Sequence, residues 1–369
     1  MHGHDDDTAG WVTEFAEAAL GDDRRTPRLV ELAAVLAARP GASRPEASGD
    51  RAMLKAASRF FDNAAITPQD ILERHVTAPL DRLATVPLVL AVPETTERDW
   101  TAPPATDGVG PRAHPAHRGL LVHTPLALTP ERVPLGLRAQ QVWARDPATV
   151  GQRARRKQRP IAETESGKWR TSLEAGSEAP ARCPQTRVVR VADREADGYD
   201  VFLVERPVGV ELLVRAAWHR RVAHPEHSLW AAVDSPPVGA RLTVQVPRQA
   251  TQPARPATVT LRWCPVTLRP PRHRQTEQRP AVAVGAVPVL EEAPPAGCEP
   301  LEWRLLTTAP VATGAEAVER VTWYPCRWGI EVLHKGLKSG WRIEARQVER
   351  AERLQRCLSL YRVVAWRIC

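Results

Sequence analysis

The sequence predicts a mixed α/β fold, on three observations. Residues 11–75 carry helical patterning, the stretch from Pro87 to Ala192 carries short β-branched and leucine-rich runs bounded by turn residues, and residues 346–369 return to helical spacing. At 369 residues there is room for about two or three domains and a sizeable core. Lys and Arg number 51 against 43 acidic residues, for a net charge of +8 and a pI near 9.6, a balance that favours a polyanionic partner. The six cysteines (Cys183, Cys264, Cys298, Cys326, Cys357, Cys369) form no Cys-x-x-Cys pair and no zinc spacing, so free thiols in a reducing compartment are expected. Met1 to Thr8 lack an apolar signal region, and no later run approaches a membrane span. A soluble, intracellular protein with no membrane partner is the expectation.

In chain order, an Ala/Leu-rich helix over Leu29–Ala38 is followed by a Pro/Gly/Ser break at Pro40–Gly49 and a second helix over Arg51–Phe61. Arg24, Arg25 and Arg28 cluster at the front of the first helix, where they suit either a DNA backbone or a solvated face. Strands are expected at Leu88–Val92, Gly119–Ala127, Gly136–Trp143 and Arg187–Ala192. The first ends in Pro93-Glu94-Thr95-Thr96 and the fourth in Asp193-Arg194-Glu195-Ala196-Asp197, so acidic residues close two strands. Between them lie the basic stretch Arg153, Arg155, Arg156, Lys157, Arg159 and the segment Glu165-Ser166-Gly167-Lys168-Trp169, read as an exposed loop. The Ser-Gly-Lys lacks the upstream glycine of a phosphate-binding loop. From about 205 to 300, Val, Thr, Arg and Pro dominate, with proline breaks at Pro236, Pro253, Pro270 and Pro294. This composition predicts short strands inserted before a further strand at Trp303–Thr308.

A helix from about Gly314 then leads into Tyr324–Lys338. At about 100° per residue, Tyr324, Arg327, Glu331 and Lys338 fall at roughly 0°, 300°, 340° and 320°, one narrow polar stripe. Ile330, Leu333 and Leu337 share a separate apolar stripe. A carboxylate among two cations and a phenol suits a hard-cation ligand flanked by phosphate-binding groups. A solvated face with an Arg327–Glu331 ion pair fits the same spacing. The last helix carries Leu354, Cys357, Leu358, Tyr361, Ala365 and Ile368 at helical spacing.

Glu94, Asp193 and Glu331 are thus three carboxylates on two strand ends and a later helix. An RNase H-like core brings such a set together to hold two Mg²⁺ for in-line attack on a phosphodiester. The chain resembles the IS4 family of DDE transposases and, within it, the Tn5-like branch. The matching stretches are Trp11–Val30, Glu94-Thr95-Thr96, Glu165–Trp169, residues 192–197, Trp303-x-Leu-Leu-Thr and the Tyr-x2-Arg-x3-Glu-x6-Lys signature at 324–338, all in family order.

The resemblance implies a cut-and-paste DNA transposase with an RNase H-like catalytic core and a β-strand insertion. It divides the chain into a helical end-binding domain (1–75), a first part of the core (76–204), the insertion (205–302) and the rest of the core (303–369). Glu94, Asp193 and Glu331 would hold two Mg²⁺, with Mn²⁺ as substitute. Tyr324, Arg327 and Lys338 would hold terminal phosphates, Trp303 would stack near the cleavage site or else be a core residue, and Arg215 would contact DNA or face solvent. Arg24, Arg25 and Arg28 would belong to end recognition. Double-stranded DNA, as transposon ends and target, is the implied partner, with a homodimer in the synaptic complex and a bacterial cytoplasmic, nucleoid-associated location. Two departures are noted: Glu94 stands where the family has Asp, and the family's C-terminal dimerisation domain is missing. The alternative is a truncated or catalytically impaired remnant that only binds DNA.

Overall fold

The computed structural model describes residues 13–15, 18–102, 106–114, 116–149, 167–175, 182–246, 248, 253–272, 279–346 and 348–368. The basic stretch 153–159, Glu165, Ser166 and Cys369 lie outside the described residues. Helices α1 (Arg25–Ala38), α2 (Arg51–Asp62) and α3 (Pro68–Ala84) precede β1 (Leu88–Asp99), β2 (Arg118–Leu128), β3 (Pro134–Leu137) and β4 (Gln141–Trp143). Next come α4 (Gly167–Ala175), β5 (Arg187–Ala192), β6 (Val210–Arg215), β7 (Ala240–Val246), β8 (Arg255–Leu261), β9 (Cys264–Leu268), β10 (Val282–Glu291) and β11 (Glu302–Thr307). The chain closes with α5 (Gly314–Trp323), α6 (Trp328–Lys335) and α7 (Ala351–Ile368).

The frame depends on β1, whose two edges are paired differently. On one side β2 runs antiparallel from Leu90↔Leu128 to Asp99↔Gly119. On the other, β5 runs parallel over Leu88–Ala91, and β6 runs parallel to β5. The broken pair β3 and β4 lies antiparallel to β2. Two antiparallel neighbours followed by two parallel ones around β1 is the strand arrangement of an RNase H-like core. Both faces of β1 are covered, so the strand alternates between two cores instead of between core and water. Leu90 and Val92 pack with Val189 and Val191 on one face, and Val89 and Ala91 with Val188 and Val210 on the other.

The stretch read as an irregular insertion continues the same sheet. β11 pairs antiparallel with β6, β10 with β11, both β8 and β9 with β10, and β7 with β8. The prolines fall between or at the ends of these strands, or at Pro288, whose ladder position faces Arg304.

The N-terminal helices are capped as their sequence dictates: Asp50 accepts from Met53 N–H at 2.7 Å, and Thr67 and Asp70 form a reciprocal capping box around Pro68. They are held by α7 and its approach: Arg356 donates to the carbonyls of Ile66 and Phe61, Arg353 to Ser58, and Arg346 to those of Ala42 and Pro40. Glu14 adds a buried tie, accepting from Arg82 at 2.6 Å with His75 at 2.9 Å. Burial pushes its carboxyl up, but these two bonds outweigh that and hold it down near 2. The five described cysteines are free thiols.

Gly119 marks how closely β1 and β2 approach. A Cβ there would lie 1.8 Å from the carbonyl oxygen of Arg98, a backbone atom with no room to yield. Gly119→Ala is expected to destabilise the fold by about 1–3 kcal/mol in urea unfolding. Gly340→Ala, where a Cβ meets open space, should leave the unfolding midpoint unchanged.

Candidate active site

Parallel pairing between β1 and β5 stops at Ala91↔Arg190, while β2 keeps pairing β1 to Asp99. Glu94 therefore lies inside a strand, not at its end as the sequence suggested, because the antiparallel ladder carries β1 onward. Carrying the parallel register past Ala91 sets Asp193 beside Glu94. Asp193 leaves β5 as the cap of a single 3-10 turn, Arg194–Ala196, with Oδ1 accepting from Glu195 N–H at 2.9 Å. The third carboxylate, Glu331, stands on the first turn of α6 and is 52% exposed. That helix sits low on the sheet because Gly329 faces Leu128 of β2, where a Cβ would come within 2.9 Å of the leucine methyl.

Arg327 binds two of these carboxylates at once. Nη1 donates to Glu94 Oε2 and Nη2 to Glu331 Oε1, both at 2.7 Å. The ion pair at four-residue spacing expected from sequence is present and has a second partner on β1. Burial drives the Glu94 carboxyl up to about 7, the neighbouring Asp193, Glu331 and Glu195 charges push the same way, and Arg327 opposes them. Glu94 thus feels both other carboxylates, with Arg327 as the opposing positive charge.

The surrounding residues divide into those the structure draws in and those it turns away. Tyr324 is buried, with its ring edge-on to Trp303 at 5.0 Å between centroids. Burial raises its phenol, against the pull of Arg215 and Arg327. Arg215 ends β6, hydrogen-bonds Tyr324 and donates to the Glu302 carbonyl at 2.8 Å. Trp303 is only 3% exposed, so in this arrangement its indole is a core side chain of β11 and offers no free face to a base.

Lys338 departs from the expected stripe. Tyr324–Arg327 form a 3-10 turn, α6 covers only Trp328–Lys335, and Gly336–Gly340 widen into a π-helical turn. The continuous 3.6-residue period assumed for the stripe does not hold, and the Lys338 ammonium pairs with Glu344 at 3.5 Å. Asp99, at the end of β1, is engaged by Arg112 and by Thr101. Arg24 projects into solvent beside Asp22 at 3.0 Å, Arg25 donates to the Leu20 carbonyl at 2.8 Å, and Arg28 pairs with Glu31.

Two contributors escaped sequence reasoning. Lys168 of α4 is buried and binds Glu195 at 2.7 Å, and Glu195 in turn acts on Glu94. Both sit within stretches already singled out, Glu165–Trp169 and 192–197. What hid them was their separation of 27 residues in sequence. Among the described residues, no group of three His, Cys, Asp or Glu side chains is drawn together tightly enough to hold a metal ion. The donor set still fits a hard divalent cation, being all carboxylate oxygen and short of positive charge. In this arrangement Arg327 supplies part of that charge.

The sheet order and carboxylate cluster define an RNase H-like α/β protein with an acidic centre. Residues 8–66 match the family model described as "Transposase DNA-binding". Among solved structures the chain is similar to a piggyBac transposase in a synaptic complex with hairpin DNA. That match is at 10% identity and a TM-score of 0.41, covering 96% of this chain and 70% of that one.

The raised Glu94 carboxyl sets a pH dependence. In the folded chain it stays protonated after the unfolded chain has released its proton, so its stabilising contribution is complete below 4.5 and lost as pH rises through about 7. Urea unfolding followed by circular dichroism should show wild type losing stability relative to Glu94→Gln across that window, by no more than about 3 kcal/mol.

Proposed function

We propose that the chain is a DNA transposase of the IS4, Tn5-like kind, which binds transposon ends through its N-terminal helices and cleaves and joins DNA at Glu94, Asp193 and Glu331. What supports this reading is that Arg327 hydrogen-bonds both Glu94 of β1 and Glu331 of α6, and that the charges of Asp193 and Glu331 act on the Glu94 carboxyl. The transposase DNA-binding match over residues 8–66 supports a DNA substrate. Two Mg²⁺, or Mn²⁺ in their place, would activate the attacking oxygen and stabilise the leaving one in an in-line displacement.

The chain's own groups do the rest. Glu94, Asp193 and Glu331 would hold the cations by their carboxylate oxygens, and Arg327, once a phosphate competes for it, would hold the strand by paired N–H donors. Arg215 sits against the Tyr324 phenol and Lys338 stands exposed nearby in the chain, both cations for the DNA backbone. Water would attack first and a freed 3′-hydroxyl afterwards, giving nicking, hairpin formation and strand transfer, with two copies pairing two ends.

A second reading is favoured by a specific contact. Arg327 spans Glu94 and Glu331, and the extra methylene of Glu94 relative to Asp shifts its carboxylate by about 1.5 Å. A remnant that binds ends without cutting them fits that arrangement. The two readings separate on a supercoiled plasmid carrying the inverted repeats that bound the gene. The enzyme reading expects nicked product with Mg²⁺ or Mn²⁺, reduced about a thousandfold or more by Asp193→Asn or Glu331→Gln. End binding that survives chelator, with no nicked product at any concentration of either cation, establishes the remnant.

A further inference from the structure

We infer that Trp218 is a stacking platform for an unpaired nucleobase of DNA, held beside the carboxylate centre by the buried side chain of Asp197. The inference rests on the reading of the chain as a DNA-processing protein and adds a binding element to it. A single apolar side chain on a surface is ordinary. Three features set this one apart.

Among the described residues, the large apolar side chains left exposed are Val133, Val208, Trp218, Leu290, Val332 and Ile368, so Trp218 is the aromatic one, 66% exposed. An indole offers stacking area on both faces, which an aliphatic side chain does not.

The loop that carries it is fixed. Asp197 Oδ2 accepts from the backbone N–H groups of Ala217 and Trp218, at 2.6 and 3.0 Å. Its Oδ1 lies 2.5 Å from Arg220, which also donates to the Asp197 carbonyl at 3.1 Å. The Asp197 carboxylate is fully buried, and burial alone raises its carboxyl while Arg220 and the two N–H groups pull it back down. A buried carboxylate hydrogen-bonded through Oδ2 to the N–H groups of residues 217 and 218, and ion-paired with Arg220, fixes where the Trp218 backbone sits, so the exposed ring projects from a rigid base.

The position is the third feature. Asp197 closes the 3-10 turn that begins at Asp193, so the anchor of Trp218 and a proposed catalytic carboxylate share one turn of chain. Arg215, three residues before Trp218, reaches the Tyr324 phenol, and the exposed Arg194 acts electrostatically on Arg215. Exposed aromatic rings and cations together hold single-stranded DNA, the rings taking bases and the cations the backbone, and here Trp218, Arg215 and Arg194 stand where the chain leaves β5 and β6. Trp303 and Tyr324 pack edge-on in the core, whereas Trp218 stands exposed.

The test uses the full chain and two probes, a blunt duplex and the same duplex with a three-nucleotide unpaired tail carrying 2-aminopurine. Wild type should bind the tailed probe about tenfold more tightly than the blunt one and quench the 2-aminopurine. Trp218→Ala should lose both the preference and the quenching while binding the blunt duplex as wild type does, and Trp218→Phe should keep most of each. Preference or quenching that persists in Trp218→Ala overturns the proposal. Wild type that binds blunt duplex but shows neither effect also overturns it, leaving the DNA-processing reading intact. Failure to bind either probe removes both.

Discussion

The site depends on one guanidinium. Glu94 and Glu331 come from elements 233 and 4 residues away from Arg327, and each accepts a hydrogen bond from it at 2.7 Å. Without that charge, Glu94 would face Asp193 and Glu331 with burial already against its ionised form. Like charges that close are tolerated only when a cation lies between them or when one carboxyl keeps its proton. The half-neutral state of Glu94 near pH 7 is the residual cost that Arg327 alone does not cancel. An acidic cluster in that condition attracts further positive charge, which is the physical basis for assigning it a divalent cation.

The rest of the fold serves to bring those groups together. Parallel pairing of β1 with β5 runs to Ala91↔Arg190, and the same register carried on sets Asp193 beside Glu94. Gly329 lets the helix come down onto Leu128. Because β7 to β11 extend the same sheet instead of forming a separate layer, β6 gains a second neighbour in β11, and Arg215, Trp303 and Tyr324 meet along that seam. The N-terminal helices are clasped by arginines of α7 and the turn before it, so the segment matching a DNA-binding module and the last helix share one core.

The strands were legible because apolar β-branched runs have a strong local signature: Arg187–Ala192 has the bounds expected, and β2 differs from its expected range by one residue at each end. What was not legible depended on partners distant in sequence. β1 continues through Glu94 to Asp99 only because β2 pairs it there, and no pattern within β1 itself announces that. The polar stripe of 324–338 assumed one helical period, whereas the backbone changes from 3-10 to α to π within it, taking Lys338 to Glu344. Trp303 reads from sequence as either a surface ring or a core residue, and burial against Tyr324 follows from the placement of β11 beside β6. Lys168 and Glu195 were 27 residues apart and became neighbours only when α4 packed against the sheet.

Residue 94 carries a further consequence. Pairing with Thr124 of β2 holds its Cα in the sheet, so the length of the side chain decides how far the carboxylate reaches toward α6. The glutamate reaches Arg327 at 2.7 Å; an aspartate from the same Cα would end about 1.5 Å short, beyond hydrogen-bond distance. Glu94 and Arg327 are therefore matched in length, and a shorter acid would release the guanidinium from β1 while leaving its bond to Glu331 on the same helix. On the proposed function, phosphate and carboxylate want the same donors. The longer acid makes Arg327 harder for DNA to capture. The methylene that sets this chain apart thus shifts the balance between a site closed on its own arginine and one open to a phosphodiester.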